Sequence, residues 1–502
     1  MEKIIKNKVI LEILDKYRQI WALGHLGGLA NWDLSVYMPE DGAGARVEAL
    51  AKLSTLMQKL FLDRDFVELI KKAENEKDLD DSEKAILRTL KRALKHYQKL
   101  PAEFIEEFSK VTSEGQIAWQ NAKKESNFSI FEPYLEKIVE LSIKKAEYLG
   151  YREHPYDALL DEFEEELTVK DVEKYFNKIK TPLINLIGYV KNSKKFRKDH
   201  KIEKEKYDVL KMTEFNKKML EFMHYNMKNI RMDVSSHPFS ICIGKGDSRI
   251  TTRYEGKDFA RTFSSVIHEY GHALYELQSN EELYYTPIAG GNSLVIHESQ
   301  SRFWENFIGK SKEFINLMYN NLLIAEPNLK KYSNQDIYEY FNLVRPSLIR
   351  VDADEITYHL HIMIRFEIEK ELIEGKIKVK DLPKIWSDRY EKYLGVRPEN
   401  DKEGVLQDVH WSQGCIGYFP TYSMGTSLSA MWKYYLEKEL GNIEELLKQK
   451  DGIRKIQNWL KKNIHQYGST YVYRDITKKS LGEDFNPDYL LKYLEKKYKG
   501  IY

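Results

Sequence analysis

The stretch VIHEYGHALYE, residues 266–276, restricts this chain more than any other part of it. His268 and His272 stand four apart, with Glu269 next to the first. Residues at that spacing become neighbours only in an α-helix, where their Cβ atoms lie about 5–6 Å apart. The flanks agree with a helix. Phe259, Phe263, Val266, Ile267, Ala273, Leu274 and Leu277 recur at three- and four-residue steps, the pattern of one buried helical side. Asp258 stands where a capping side chain would start the helix, and Leu277 is its expected end. Two imidazoles on one face can bind a cation at about 2.0–2.1 Å each. Glu269 is then near the ion yet free to act as a base, the HExxH arrangement of zinc peptidases. Gly271 costs about 1 kcal/mol relative to alanine inside a helix, so a close approach to the backbone is expected there.

Catalytic zinc usually takes three protein ligands and keeps one open position. The third is expected from GGNSLVIHESQSRFWENF, residues 290–307. Gly290 and Gly291 make a turn, Asn292 or Ser293 can cap a second helix, and Glu298 on that helix is the leading candidate. His297 is the alternative ligand, or a hydrogen-bond partner to one.

The remainder is expected to be mostly helical. Apolar residues recur three and four apart over 46–62, 83–97, 132–148 and 354–374, the last closed by Gly375. One region departs from this pattern. Phe239–Ile243 and Arg249–Tyr254 are rich in β-branched and aromatic residues and are joined through Gly244-Lys245-Gly246-Asp247, a hairpin signal. It lies just before the HEYGH helix, where a strand edge could pair with an extended peptide. Length alone suggests about three domains. No linker or repeat divides the chain, so one large helical domain spanning 1–502 is expected.

Charge and composition narrow the partners. Net charge is +1, from 79 basic and 78 acidic residues, which gives no bulk attraction to nucleic acid or a membrane surface. Charges interrupt the apolar runs of MEKIIKNKVILEILDKY, so neither a signal peptide nor a membrane span is expected there. Two cysteines, Cys242 and Cys415, suit a reducing, cytoplasmic compartment and are expected to be buried and inert. Abundant Lys, Glu, Ile and Tyr suggest heat adaptation, although a genome rich in A and T would raise Lys, Ile and Tyr as well.

Several motifs together resemble the carboxypeptidase Taq family of metal-dependent carboxypeptidases. They are LANWDLSVYMPEDGAGAR (29–46), DSRIT (247–251), HEYGH, HESQ (297–300), IRVDADE (349–355) and GVLQDVHW (404–411). Asp352 is a conservative departure where glutamate is expected in many members. The resemblance implies a largely helical fold with a deep groove, and a homodimer; the small sheet or hairpin beside the HExxH helix is the one expected from residues 239–254. It implies His268, His272 and Glu298 as ligands of one zinc or cobalt ion per subunit, with Glu269 as general base to the metal-activated water. The implied substrates are peptides with a free C-terminus, cleaved with broad specificity.

Other roles are assigned as candidates. His410, Tyr418 and Tyr422 can supply donors to the developing oxyanion. An arginine fork suits a terminal carboxylate. Arg350 ranks first because it lies in IRVDADE, then Arg253 and Arg249; each could instead make an ion pair, with Asp247, Asp352 and Asp354 at hand. Asp354 could orient a ligating histidine. His359 and His361, two apart on one helix, should face apart. An oligoendopeptidase sharing the metal site but lacking a carboxylate clamp is the alternative reading.

Overall fold

The computed structural model describes residues 4–226 and 228–502. It is mainly helical, with one three-stranded sheet among the described residues. Helix α1 spans Lys8–Val36 and starts at Asn7, whose side chain accepts from Val9 and Ile10 N–H groups. Helix α2 spans Ala43–Phe61. The two are tied by Asp33 and Arg46, 2.8 Å apart.

Three strands follow, β1 (Ile230–Val234), β2 (Ser240–Gly244) and β3 (Asp247–Thr252). β2 and β3 form the expected hairpin, with Gly246 at φ +72° in the turn, a backbone conformation that glycine adopts without strain. β1 was not expected. It pairs parallel to β3, giving the order β1-β3-β2. Its sequence IRMDV mixes charge with apolar residues and leaves Arg231 and Val234 exposed, so the period-2 signal is weak. Along β2 side chains alternate. Ile241 and Ile243 lie against Gly28 of α1, while Ser240 reaches Glu269.

Helix α3 is the HEYGH helix, Phe259–Leu277, ending where expected. Its start differs in kind. Asp258 holds the N-cap position with φ 55° and makes no capping bond; its carboxylate instead accepts from the Tyr340 hydroxyl and Arg261 Nε. Helix α4 spans Leu294–Arg302, capped by Ser293, whose Oγ accepts from Ile296 N–H at 3.1 Å. One π-helical stretch, Phe303–Gly309, continues it. Helix α5 spans Tyr358–Ile373 and α6 spans Pro420–Leu440. After α5, Gly375 takes φ +70° and Lys376 N–H donates to Glu371 O at 2.9 Å, the expected glycine stop.

The chain forms two compact units, each built from three segments. The first holds 1–98, 199–341 and 432–485; the second holds 99–198, 342–431 and 486–502. In the first, Ile10, Ile13, Leu14, Phe66, Ile86 and Leu90 pack with Leu283 and Ile288, anchoring the loop that leads into α4. In the second, α5 is buried almost all round, including His359, His361, Arg365 and Glu369, so its polar groups need internal partners. No helix among the described residues is long and apolar enough to cross a membrane.

Candidate active site

α3 is held firmly by its buried side. Val266, Ile267, Tyr270 and Ala273 are buried, and the Tyr270 hydroxyl donates to Met223 O at 2.9 Å while accepting from Gln457 Nε2 at 2.6 Å. Burial of this stripe turns His268, Glu269 and His272 toward α4.

Gly271 sets how close α4 comes. A Cβ at this position would lie 2.7 Å from both Gln300 O and Ser301 Cα. Those are backbone atoms, so the two helices pack directly against each other there. Gly271→Ala is therefore expected to force the helices apart. Overpacking of this kind costs about 1–3 kcal/mol, more than the helix-propensity gain of about 1 kcal/mol. Because Glu298 rides on α4, affinity for a divalent metal should fall along with the melting temperature. A variant as stable and as metal-avid as the wild type would contradict the packing argument.

This approach brings His268, His272 and Glu298 together. Their donor atoms all lie within 4.8 Å of one another. Glu298 Oε2 is 3.7 Å from His268 Nε2 and 3.8 Å from His272 Nε2. Ligands about 2.1 Å from a tetrahedral ion are separated by about 3.4 Å, so a small contraction suffices. Two imidazoles and one carboxylate suit a divalent transition metal, and the donor set fits one.

Neighbouring groups fix these side chains. Arg302 Nε donates to Glu298 Oε1 at 2.6 Å, and Ser301 Oγ to Oε2 at 3.1 Å. His268 Nδ1 faces Glu305 Oε2 at 2.9 Å, which leaves Nε2 for an ion. Burial pushes Glu305 up, but Lys310, Arg302 and His268 outweigh it and hold the carboxyl well below its usual range. Burial lowers His268, yet Glu298 and Glu305 raise it overall. His272 lacks a contacting carboxylate on Nδ1; burial and the adjacent His297 keep it well below the usual histidine value. Both ring nitrogens of His297 are engaged, with His272 and with Glu276, so it takes the partner role rather than the ligand role.

Glu269 is 6% exposed. Burial raises its pKa to about 7, against the opposing pull of His268 and the Ser240 hydrogen bond. Such a carboxyl is poised to exchange protons near neutrality. A cavity of about 330 Å³ opens beside His272, lined also by Ser240, Cys242, Ser248, Glu276 and His297.

The second unit carries Arg350, His410, Tyr418 and Tyr422. Arg350 does not pair with Asp352 or Asp354. Its Nε donates to Asp408 Oδ1 at 2.9 Å, and Nη2 lies 2.8 Å from the same oxygen. Asp408 Oδ2 meanwhile accepts from Arg365 Nε at 2.6 Å, with Arg365 Nη2 2.5 Å away and donating to Gln407 Oε1. One carboxylate thus serves two buried guanidinium groups, leaving a local excess of positive charge. Burial pushes Asp408 up, but the two arginines hold it far below the usual carboxylate range. Among the described residues Arg350 Nη1 makes no hydrogen bond. His410 Nε2 faces the Tyr422 hydroxyl at 3.2 Å, and the rings of His410 and Tyr418 are 5.5 Å apart. Burial and Arg350 lower His410 to about 3, so it is a neutral imidazole at ordinary pH.

Other expectations fare differently. In the first unit Arg249 is bound bidentately by Asp247 at 2.8 Å, and the half-exposed Arg253 lies 3.2 Å from Glu255. Asp354 orients no histidine. It accepts from Arg345, Ile356 and Thr357 backbone N–H groups and the Thr357 hydroxyl, closing the turn before α5. His359 and His361 bond separately, to Ser423 Oγ and the Tyr390 hydroxyl. Both cysteines are free and partly buried; burial pushes their thiols up to about 12 and 11, so both stay protonated and inert.

Sequence reasoning passed over Ser240, Glu276, Arg302, Glu305, Arg365 and Asp408. Glu276 had a visible signal, four residues beyond His272 on the same helix. Glu305 had none, because the π-helical stretch shifts it out of the 3.6-residue register.

Two histidine donors and a glutamate on one helix, with a carboxylate supplied by a second, define a helical metallopeptidase. The comparisons carry this further. The sequence model of the carboxypeptidase Taq (M32) metallopeptidase family matches residues 12–498, and the chain belongs to that family. Thermostable carboxypeptidase 1 of Pyrococcus furiosus is 46% identical over 499 residues, covering 99% of this chain and 100% of the relative. Carboxypeptidase 1 of Bacillus subtilis is 37% identical over 493 residues, covering 98% of each chain. The solved structure of Pyrococcus furiosus carboxypeptidase, described as Apo-Mg, superposes with TM-score 0.97 over 99% of this chain and 100% of that one, at 46% identity. The protein is thus a metallocarboxypeptidase, a peptide hydrolase that acts at the C-terminus.

Proposed function

We propose that His268, His272 and Glu298 hold one divalent ion, zinc or cobalt, and that Glu269 is the general base for C-terminal peptide hydrolysis. The observation that carries this reading is the convergence of the three donors, with the buried Glu269 carboxyl beside them. When bound, the ion supplies Lewis-acid polarisation of the scissile carbonyl and makes a water more acidic. Glu269 accepts the proton from that water and delivers it to the leaving amine. Ser240 holds the Glu269 carboxylate from the strand side. The outer edge of β2 offers backbone groups to an extended substrate, and the cavity beside His272 offers room for a side chain.

Arg350 is the proposed receptor for the substrate carboxylate. Supporting this are the shared Asp408, which leaves one guanidinium uncompensated, and the free Nη1 edge. Arg249 and Arg253 are weaker candidates because each is engaged by a neighbouring carboxylate. His410 and Tyr422 are proposed donors to the oxyanion. The chain 1–502 is proposed to act as one catalytic domain, since the family match spans segments of both units. A cytoplasmic, thermostable homodimer completes the reading, the heat stability resting on the charged composition and expected as a melting midpoint above about 65 °C.

Arg350→Met tests the carboxylate assignment. Asp408 keeps Arg365 as partner, so no buried anion is orphaned. Loss of a buried charged contact costs about 2–5 kcal/mol, so kcat/KM on a free-acid peptide should fall by about 30-fold or more. The ratio of free-acid to C-terminal amide turnover should collapse toward one. An unchanged ratio would remove Arg350 from this role.

A further inference from the structure

His272 and His297 meet through their Nδ1 atoms, 2.7 Å apart. His297 Nε2 lies 2.7 Å from Glu276 Oε1, which also accepts from Gly291 N–H at 3.1 Å. His272 Nε2 faces Glu298. Proton positions along this chain follow from what each atom can do. Glu276 Oε1 already acts as an acceptor, toward Gly291 N–H, so the hydrogen between it and His297 is on His297 Nε2. Two ring nitrogens in contact share a single proton between them. Were it on His297, that ring would be a cation, and a neutral His272 would carry its hydrogen on Nε2, the atom aimed at Glu298. With the proton on His272, both rings are neutral and His272 Nε2 is a bare lone pair. Only this second arrangement leaves His272 able to ligate.

We propose that Glu276 and His297 are positioning residues that lock His272 in its Nδ1–H tautomer and so present Nε2 to the metal. The proposal goes beyond the ligand set and rests on the reading of His272 as a ligand. The local backbone is shaped for it. A Cβ at Gly290 would lie 2.1 Å from Glu276 Oε2, and one at Gly291 would lie 2.2 Å from the Tyr275 ring and 2.9 Å from His297 Cδ2. The paired glycines thus let α4 set His297 between two residues of α3, one helical turn apart. The two ligands are oriented by different means. His268 contacts the Glu305 carboxylate directly; His272 reaches Glu276 through a neutral ring. That spares a centre already holding Glu269, Glu298 and Glu305 a further contacting negative charge.

The test uses the full chain labelled with ¹⁵N-histidine and stripped of metal. Two-bond ¹H–¹⁵N correlation spectra, with His272→Gln identifying the resonance, are expected to show His272 protonated at Nδ1 and bare at Nε2. An Nε2–H tautomer would overturn the proposal. Zinc affinity is then read by chelator competition. His297→Leu, which cannot accept from His272, should bind about 10–100-fold more weakly. His297→Gln, whose amide oxygen can accept, should recover most of that loss. Equal affinity of wild type and His297→Leu would also overturn the proposal. Unchanged zinc affinity in His272→Ala would instead sink the underlying ligand reading, which separates the two failures.

Discussion

Replacing Glu269 with glutamine is expected to lower kcat by about 10²–10⁴-fold while metal content stays at the wild-type level. Glutamine keeps the size of the side chain but cannot take a proton. The three converging donors are on other residues, so metal binding should survive. The pH profile gives a second reading of the same variant. Burial raises Glu269 to about 7, and a cation beside it would lower that value. A general base works in its ionised form, so activity should fall as pH drops, along an acid limb at or below about pH 7. The residual activity of Glu269→Gln should lack that limb. A fully active variant, or one that loses its metal, would contradict the assignment of Glu269 as a base outside the ligand set.

Removing the metal should have the larger effect. Dialysis against a chelator is expected to abolish peptide cleavage, and zinc or cobalt should restore it. The fold should remain. Small metal domains unfold without their ion, but here α3 is held by buried Val266, Ile267 and Tyr270 and by the Met223 and Gln457 contacts. None of these needs a cation. Saturating metal at about 1,000 times its Kd adds about 4 kcal/mol, so the metal-free protein should melt lower but still cooperatively. Loss of far-ultraviolet helical signal on chelation would show that the ion builds the fold rather than only the site.

Much of the site was legible because it is local. A 3.6-residue stripe fixes which way α3 faces, the histidine spacing follows, and the GGNS stretch announces a turn, a cap and a second helix. Gly271 carried a sound warning of close approach, which the α4 backbone now explains. The Gly375 stop was equally readable, since only the backbone conformation at one residue is involved. What escaped depends on distant parts of the chain. Arg350 finds Asp408, 58 positions away, although two much nearer aspartates, Asp352 and Asp354, were plausible partners. Asp258 is drawn to Tyr340 and Arg261 instead of capping α3. β1 joins a sheet through parallel pairing, which leaves no hairpin signature in the sequence. The division into two units is invisible for the same reason, because each unit is assembled from three separated segments and no linker marks the crossings.

The central claim is that the HEYGH and Glu298 centre serves removal of residues from a free C-terminus. The most direct measurement incubates zinc-loaded protein with a short unblocked peptide and its C-terminal amide, and reads the products by mass. The account predicts a ladder losing one residue at a time from the C-terminus of the free acid, with the amide largely resistant. Internal fragments from both peptides would contradict it.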